Sequence, residues 1–356
     1  MAWLIALAAA ASLVASPPTA WLVESDAYAS ELTAALNSTW KVVTCGASGS
    51  GCRTPDASVH AVVGRADAVD LTALPSLKLV QSASYFYTDG KAVPTQAAIA
   101  EAGGFWPTLG ADQIAEWVVA AIFESQYKLG AASETFRRCA FSDSTPSGCA
   151  SASTATNHTM VGDLTIGILG YGHIGTRVAQ RVAPLGSTVV ATTRNGPFTP
   201  APAPLKWLSD DNDRLFREAD VVVVTVPGSV LSIVNATSLA LMKEHALIIP
   251  VSAGPIAFDA LEAALRARPA LRAVIDVWPG GCWHFPNVSC GAPLGERCWP
   301  ASASLAQLPN ILPLPGMSMR DAAYWRFSAA AAASNLDALA SGAPLAHVVR
   351  NASHAQ

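Results

Sequence analysis

The chain has 356 residues, enough to bury two cores of ordinary domain size. Its formal net charge is −4, only 13% of its residues are charged, and no basic run occurs. This composition excludes an electrostatic surface for nucleic acid or anionic lipid, so we expect small-molecule ligands.

An uncharged segment opens the sequence, MAWLIALAAAASLVASPPTA. Its apolar part runs from Trp3 to about Val14 and is followed by small residues and prolines, which is typical of a secretory signal peptide. We predict a signal peptide over 1–20, with cleavage near Ser16 or Ala20. The apolar part is shorter than the roughly 20 residues of a spanning helix, and an uncleaved signal anchor is the alternative.

Cysteines and glycosylation sequons agree with export to an oxidising compartment. The seven cysteines form close groups, in which local disulfides would leave one thiol over: Cys45 with Cys52, Cys139 with Cys149, and Cys282, Cys290 and Cys298 together. Five sequons use five of the nine asparagines, at Asn37, Asn157, Asn235, Asn287 and Asn351. We therefore predict a disulfide-bonded glycoprotein of the secretory pathway or extracellular space, with an organelle lumen as the alternative location.

After this leader, the hydrophobic pattern alternates between strands and helices. Strands are predicted at AWLVES, KVVTC, VHAVVG and LKLVQSAS, with a helix up to about Leu36 between the first two. A long helix with one buried face follows over 111–128. The segment 139–157 consists almost entirely of Ser, Thr, Ala and Gly, a composition that predicts a loop insertion.

From residue 164 the predicted strands are continuous apolar runs, LTIGIL, TVVAT, DVVVVTV, ALIIPV, LRAVIDV and NILPLP. Such runs are typical of a parallel sheet that is covered on both faces. Helical patterns lie between them, for example from Leu261 to Arg268. The alternation predicts a doubly wound nucleotide-binding domain over roughly 160–317.

The segment TIGILGYGHIGTRV contains a G-x-G-x-x-G motif after a strand and at the start of a helix. In this context Gly170 allows the tight turn, Gly172 lets the backbone approach a pyrophosphate, and Gly175 lets the helix pack close to the strand. The amides of His173 and Ile174 then lie at the helix start, where the dipole favours phosphate. A glycine-rich turn that serves only packing is the alternative.

The end of the next strand predicts which dinucleotide is bound. An NAD-selective domain carries an acidic residue there for the ribose hydroxyls, whereas this chain has Thr193 and Arg194. A hydroxyl followed by a guanidinium suits the 2′-phosphate of NADP. We predict NADP as the cofactor, with NAD as the alternative. For Arg194, an ordinary solvated charge at a strand end is the other interpretation.

These segments resemble the D-isomer-specific 2-hydroxyacid dehydrogenases, a family that includes phosphoglycerate dehydrogenase and the glyoxylate/hydroxypyruvate reductases. The ordered matches are LPSLKLVQSAS, GADQIAEWVVAAIF, GDLTIGILGYGHIGTRVAQRVAPLGSTVV, ADVVVVTVP, LALMKEHALIIPVSAGPI, LRAVIDVW, LPNILPLPG and NLDALASGAPLAHVV. The resemblance implies a Rossmann-type doubly wound parallel sheet inserted in a second, smaller α/β, flavodoxin-like substrate domain. It implies a substrate domain over 21–128 and 318–356, a linker or loop insertion over 129–163, an NAD(P)-binding domain over 164–317, and a homodimer.

The resemblance also implies hydride transfer between a nicotinamide and a small 2-hydroxy or 2-keto acid. In the family, an Arg binds the substrate carboxylate and a His paired with a Glu moves the proton. The positions that match hold Ala253 for the Arg, Gly316 for the His, and Pro279-Gly280-Gly281 where the Glu is expected. The catalytic residues of this chain are therefore unknown from its sequence.

On the cofactor side the match is better. Pro227 ends the matching segment ADVVVVTVP, and Asp276 matches the family's acidic residue near the nicotinamide amide. We predict both as cofactor-binding residues. Asp112 and Glu116, on the long helix, are predicted to be structural.

Two loops depart from the family pattern. The first loop stands where the family has a small glycine-containing substrate loop, and its sequence here is Ala83-Ser84-Tyr85-Phe86-Tyr87. Its three aromatic rings would narrow the substrate pocket. The loop from Cys282 to Trp299 supplies His284 and Glu296 as candidate replacements for the missing groups, although a packed or surface histidine is the alternative for His284.

Two hypotheses follow. The first is an NAD(P)-binding oxidoreductase with rearranged catalytic groups. The second is a catalytically inactive nucleotide-binding sensor or interaction protein on the same scaffold.

Overall fold

The computed structural model describes residues 17–38, 40–46, 48–52, 55–83, 93–101, 109–140, 158–194, 200–278, 303–318 and 322–350. The chain divides into two compact units, one formed by Met1–Phe105 with Ala322–Gln356 and the other by Trp106–Asp321. We call them the terminal unit and the central unit. None of the helices in the described part of the chain is long and apolar enough to cross a membrane.

The terminal unit begins with alternating strands and one helix. They are β1 (Thr19–Val23), α1 (Asp26–Ala35), β2 (Lys41–Thr44), β3 (Val59–Gly64), β4 (Leu79–Gln81) and β5 (Ala98–Ala100).

The central unit follows. Its helices are α2 (Ala111–Tyr127), α3 (Leu129–Ala140), α4 (His173–Val182), α5 (Asn212–Glu218), α6 (Ala236–Leu241), α7 (Phe258–Ala267) and α8 (Ala303–Ala306). Its strands are β6 (Thr165–Leu169), β7 (Thr188–Thr192), β8 (Trp207–Ser209), β9 (Val221–Val224), β10 (Leu247–Pro250), β11 (Arg272–Ile275) and β12 (Ile311–Pro313). The chain then returns to the terminal unit with α9 (Ala322–Ser341) and β13 (Val348–Arg350).

The sheet of the terminal unit has the strand order β13-β5-β4-β3-β1-β2, in which β13 alone is antiparallel. The order 2-1-3-4-5 of its parallel strands is that of flavodoxin, which confirms the predicted flavodoxin-like domain. On one face of this sheet α1 contributes Tyr28 and Leu32, and α9 contributes small residues such as Ala329 and Ala333. The unit is thus completed by both ends of the chain.

The sheet of the central unit is parallel throughout, with the order β12-β11-β10-β9-β6-β7-β8. Every residue of β9 and β10 is buried, as expected for strands covered by helices on both faces. The strand order reverses direction between β6 and β9, where a doubly wound sheet binds its ligand. The predicted Rossmann-type fold is confirmed.

Three boundaries differ from the predicted ones. The helix α2 belongs to the central unit, because its apolar face packs with Val178 and Val182 of α4 in one core, so this unit begins at Trp106 instead of after residue 128. The predicted insertion over 129–163 starts with the helix α3, whose described residues are exposed or half-buried. The third difference concerns the leader.

Residues 1–16 of the predicted signal peptide lie outside the described residues. Thr19 and Ala20, however, belong to β1, which lies between β2 and β3 and whose residues are all buried. Cleavage at Ala20 would remove part of a central strand, whereas cleavage near Ser16 would leave it whole. Of the two predicted cleavage sites, the one near Ser16 is compatible with an intact β1, and the leader itself stays a prediction.

One predicted disulfide is present, between Cys45 and Cys52 at the end of β2. Cys139 is also disulfide-bonded. Cys149 and the group of Cys282, Cys290 and Cys298 lie outside the described residues, and their pairing stays a prediction.

The two sequon asparagines that are described differ in their surroundings. Asn37 is exposed after α1, and its side-chain amide donates to Asp337 Oδ2 at 3.1 Å. Asn235 caps α6, since its Oδ1 accepts from the amides of Thr237 and Ser238. Helix capping gives Asn235 a structural role that does not need a glycan.

The carboxylate of Asp337 joins α9 to the end of α1. It accepts hydrogen bonds from the backbone amides of Asn37 and Ser38 at 3.1 and 2.9 Å, and from both side chains. Partial burial acts to raise the pKa of Asp337, but the bonds from Ser38 and Asn37 outweigh it and the pKa is lowered.

We expect Asp337 to make the terminal unit sensitive to acid. Because its pKa is lower in the folded state than the roughly 3.9 of an unfolded chain, its contribution is complete above that pH and is lost as the pH falls through the folded pKa. Asp337→Asn should cost about 1–2 kcal/mol of unfolding free energy at pH 7. Urea unfolding from pH 7 to pH 3 checks this, since the variant should lose less stability on acidification. Parallel pH profiles of both proteins would contradict it.

Candidate functional site

The predicted cofactor residues meet at the carboxyl-terminal edge of the central sheet. Gly170 follows β6 directly and has a φ of +104°, in the left-handed region that favours glycine. A Cβ there would lie 2.8 Å from Val226 Cγ1, in the segment after β9. At Gly175, a Cβ would lie 2.7 Å from Gly170 O and 2.8 Å from Ile168 Cγ2. Both glycines are therefore required by close packing within the chain.

Gly172 is different. Its φ of −107° is open to any residue, and no described atom lies within 4 Å of the place where its Cβ would be. It precedes α4 as the N-cap residue but offers no side chain to cap the helix. The described fold gives no reason for glycine here, whereas a group that approaches the backbone from outside does.

The first amides of α4 are open at this point. Within the described residues, the N–H groups of His173, Ile174 and Gly175 donate to no acceptor, and the first bond into the helix runs from Thr176 N to Gly172 O. The side chain of His173 is exposed, while Ile174 packs partly against the core. Amides at the amino terminus of a helix bind phosphate well, because the helix dipole adds to their hydrogen bonds.

The end of β7 lies beside the glycine loop. Thr192 O accepts the amides of Gly170 and Tyr171 at 3.0 and 2.8 Å. The next residue, Thr193, is half-buried and its amide donates to Ser209 O at 2.9 Å. Arg194 is exposed and forms no ion pair with any described residue. Its guanidinium is free for a ligand at this edge.

The end of β9 supports the loop from the other side. Thr225 Oγ1 donates to Gly170 O at 2.5 Å, and Ser252 Oγ, after β10, donates to Val226 O at 2.8 Å. Pro227 follows and is exposed at the same edge. These contacts hold the loop after β9 between the glycine loop and the loop after β10.

Ala253 lies in the turn after β10. The turn is tightly fixed, because a Cβ at Gly254 would lie only 1.8 Å from Gly228 O and Gly254 O accepts the amide of Ser232 at 3.0 Å. The position that matches the family's Arg is thus well defined but carries a methyl group. It can supply no charge to an acid.

Asp276 follows β11 and is completely buried. Its Oδ1 accepts the amide of Met317 and its Oδ2 that of Ser318, both at 2.8 Å. These residues directly follow Gly316, the position that matches the family's His and that has a φ of +69°. We call this contact the Asp276 clamp. No sequence motif indicates it, since the partners are about forty positions apart.

The remaining candidates divide into two groups. Asp112 is structural as predicted, since its Oδ1 lies 2.7 Å from Arg181 Nη2 and 3.4 Å from Arg177 Nε. Glu116 lies 3.6 Å from the same Arg181. His284, Glu296, the segment Pro279-Gly280-Gly281 and the aromatic residues Tyr85, Phe86 and Tyr87 lie outside the described residues.

The chain is similar in sequence to one family of known proteins. The family model for the D-isomer specific 2-hydroxyacid dehydrogenase NAD binding domain matches residues 130–317. A hydroxypyruvate reductase from Thermotoga maritima is 34% identical over 92 residues, 25% of this chain and 29% of that protein. A D-lactate dehydrogenase from Lactobacillus delbrueckii subsp. bulgaricus is 31% identical over 160 residues, 44% of this chain and 46% of that protein. The chain thus matches less than half the length of these curated relatives.

Among solved structures, the NADPH-dependent glyoxylate/hydroxypyruvate reductase from Sinorhizobium meliloti, in complex with NADP and malonate, has the same fold. Its TM-score is 0.71 at 19% identity, over 96% of this chain and 100% of that chain. This likeness covers both units.

Proposed function

The chain belongs to the D-isomer specific 2-hydroxyacid dehydrogenase family, and from this premise we propose that it is an oxidoreductase that uses NAD(P). It transfers hydride between the nicotinamide and the carbon of a small 2-hydroxy or 2-keto acid. The observation that carries this proposal is Gly172, a glycine that the described fold does not need, at the start of a helix with three open amides.

The residues of the glycine loop fit a dinucleotide. A diphosphate would fit the space beside Gly172, where the amides of His173, Ile174 and Gly175 would donate to it and the dipole of α4 would favour its charge. When bound, the nicotinamide supplies the hydride chemistry. The chain's own residues bind the phosphates, and the loops after β9 and β10 hold the glycine loop in position.

Asp276 then acts on the loop that follows β12. Its carboxylate fixes the amides of Met317 and Ser318, and so holds Gly316 at the edge where the nicotinamide is expected. With Ala253 and Gly316 at the family's cation and proton positions, neither residue binds an acid by charge or moves a proton.

The test separates binding from turnover. The protein is purified from an oxidising expression host, NADPH binding is followed by fluorescence, and NADPH oxidation is followed with glyoxylate and hydroxypyruvate. We expect binding together with oxidation. Binding without oxidation across a panel of keto acids would contradict the oxidoreductase proposal and support the inactive nucleotide-binding protein. Absence of binding would overturn both.

We further propose NADP as the preferred cofactor, because Arg194 is exposed and unpaired among the described residues beside the glycine loop. The Sinorhizobium meliloti reductase of the same fold is NADPH-dependent. Arg194→Ala should weaken NADPH about 10- to 100-fold, the value of a hydrogen-bonded charge pair, and leave NADH nearly unchanged.

Fluorescence titration of both reduced cofactors measures this difference. Arg217→Ala is the matched control, since Arg217 lies exposed on α5 and pairs with Asp213 at 3.6 Å. Equal losses for NADPH and NADH in the Arg194 variant would contradict the 2′-phosphate contact.

We propose that the chain is exported and glycosylated. The disulfide between Cys45 and Cys52 supports an oxidising compartment, and the exposed Asn37 is a sequon asparagine in a loop. Expressed in a eukaryotic secretory host, the protein should shift in gel mobility on endoglycosidase treatment, and Asn37→Gln should reduce that shift. Amino-terminal sequencing should begin before Thr19. An unchanged mobility after the enzyme would contradict glycosylation.

A homodimer is the proposed assembly, as the family resemblance implies. The helix α3 supports it, because Leu129 and Phe136 are 63% and 65% exposed and are two turns apart on one helix. Light scattering after gel filtration should give twice the chain mass. A monomer at micromolar concentration would contradict this assembly.

A further inference from the structure

A cavity of about 180 Å³ lies in the central unit, away from the glycine loop. Its lining residues include Leu164, Asp220 and Arg272, which directly precede or begin the strands β6, β9 and β11. The cavity is therefore at the amino-terminal edge of the sheet, whereas the glycine loop follows the carboxyl-terminal edge. The volume holds several water molecules, each of which occupies about 30 Å³ in the liquid.

Two donor groups of this cavity, Gln126 and Arg272, can give further hydrogen bonds. The Nε2 atom of Gln126 is buried without a hydrogen-bond partner. Arg272 is half-buried, and its one hydrogen bond among the described residues goes from Nη1 to Ser125 O. No described carboxylate pairs with it. Burial lowers the pKa of Arg272, but a guanidinium remains charged at neutral pH. An anion in the cavity would accept from the half-buried guanidinium and from the unpartnered Gln126 Nε2, and would offset the cost of burying both donors.

The other charges of the wall limit which anion fits. Asp220 is compensated, because its Oδ2 accepts the amide of Thr165 and its Oδ1 binds Lys243 Nζ at 2.7 Å. Asp163 has no cation beside it among the described residues. The cavity is therefore lined by one arginine and one exposed aspartate that form no ion pair among the described residues, and by the exposed imidazole of His245. This balance admits a single negative charge and repels a divalent anion such as sulfate or phosphate.

We propose that this cavity is a second ligand site, which binds a small monocarboxylate through Arg272 and Gln126. It is independent of the oxidoreductase proposal, because no residue of the cofactor edge takes part. The carboxylate oxygens accept from the guanidinium and from Gln126 Nε2, which satisfies both donors. The carboxylate of Asp163 forms no ion pair among the described residues, so its negative charge favours a monovalent anion over a divalent one.

The probes are acetate, propionate and sulfate, titrated into the cofactor-free protein by calorimetry and by ligand-observed NMR. We expect acetate and propionate to bind and sulfate not to bind. Arg272→Met should weaken acetate at least about tenfold, and Gln126→Leu about fivefold, because each removes one hydrogen bond to a charged group. Asp163→Asn should allow sulfate to bind.

Matched controls separate this site from others. Arg266→Met removes an exposed arginine of α7 that pairs with Glu262, and should leave acetate binding unchanged. Gly172→Val should also leave it unchanged, whereas it abolishes binding at the cofactor edge. Circular dichroism shows which variants fold, and if Arg272→Met does not, Gln126→Leu and Asp163→Asn carry the test. No uptake of either monocarboxylate, or uptake that these variants do not alter, would overturn the proposal.

Discussion

Replacing Gly172 by valine is expected to abolish NADPH binding and to leave the fold intact. The new side chain would occupy the space that the diphosphate needs, while no described atom of the protein lies within 4 Å of its Cβ. Loss of two amide bonds to a charged phosphate, each worth about 1.5–3 kcal/mol, predicts a Kd at least about 100-fold higher. The unfolding free energy should change by about 1 kcal/mol or less, as for other N-cap substitutions.

Gly175→Ala is the matched comparison. Its Cβ would lie 2.7 Å from a backbone oxygen, at Gly170, so the start of α4 must shift and the protein should lose about 1–3 kcal/mol of stability. Fluorescence titration and thermal unfolding of both variants distinguish the two glycines. A Gly172 variant that unfolds as readily as the Gly175 variant, or that keeps its NADPH affinity, would show that this glycine serves packing instead of a ligand.

Asp276→Asn should give the largest loss of stability, about 3 kcal/mol, in urea unfolding. The carboxylate is completely buried and accepts two backbone amides, whereas an asparagine would present an N–H to one of them. A buried donor that faces another donor costs the whole bond and its desolvation. Hydrogen exchange of the Met317 and Ser318 amides should accelerate at the same time, because one amide loses its acceptor and the other keeps only a neutral, weaker one.

The control for this variant is Asp213→Asn. Asp213 is 59% exposed and pairs with Arg217 one helical turn away, so its loss should cost about 0.5 kcal/mol or less. If Asp276→Asn costs no more than this control, or if the two amides exchange at unchanged rates, the clamp does not hold the loop after β12.

Continuous apolar runs and the glycine motif made the central sheet predictable, because both signals are local. The runs at β9 and β10 are buried along their whole length, and Gly170 and Gly175 have the turn and packing roles expected of them. Short strands escaped prediction for the same reason. The strands β5, β8 and β13 have three residues each, too few to show a period. The strands β4 and β12 are equally short but were predicted, because each lies within a longer apolar run.

Tertiary contacts explain the rest of what the sequence missed. The helix α3 buries no described residue, and its apolar residues Leu129 and Phe136 are exposed, so no core-facing pattern distinguished it from the insertion that the family resemblance implied. The Asp276 clamp joins two loops that are close only after β11 and β12 pair. The cavity at the opposite edge depends on Gln126, Asp163 and Arg272, which come from three separate segments. None of these follows from periodicity or motif.

The terminal unit is discontinuous, and this has a consequence for synthesis on the ribosome. Its buried polar contacts join distant parts of the chain, since Tyr28 contacts Ser328 at 3.2 Å and Asn335 donates to Gln81 at 2.6 Å. The central unit is one uninterrupted segment and can fold as soon as it has emerged. The amino-terminal strands must instead wait for α9 and β13, so nascent chains that stall before α9 carry an open apolar face that chaperones must shield.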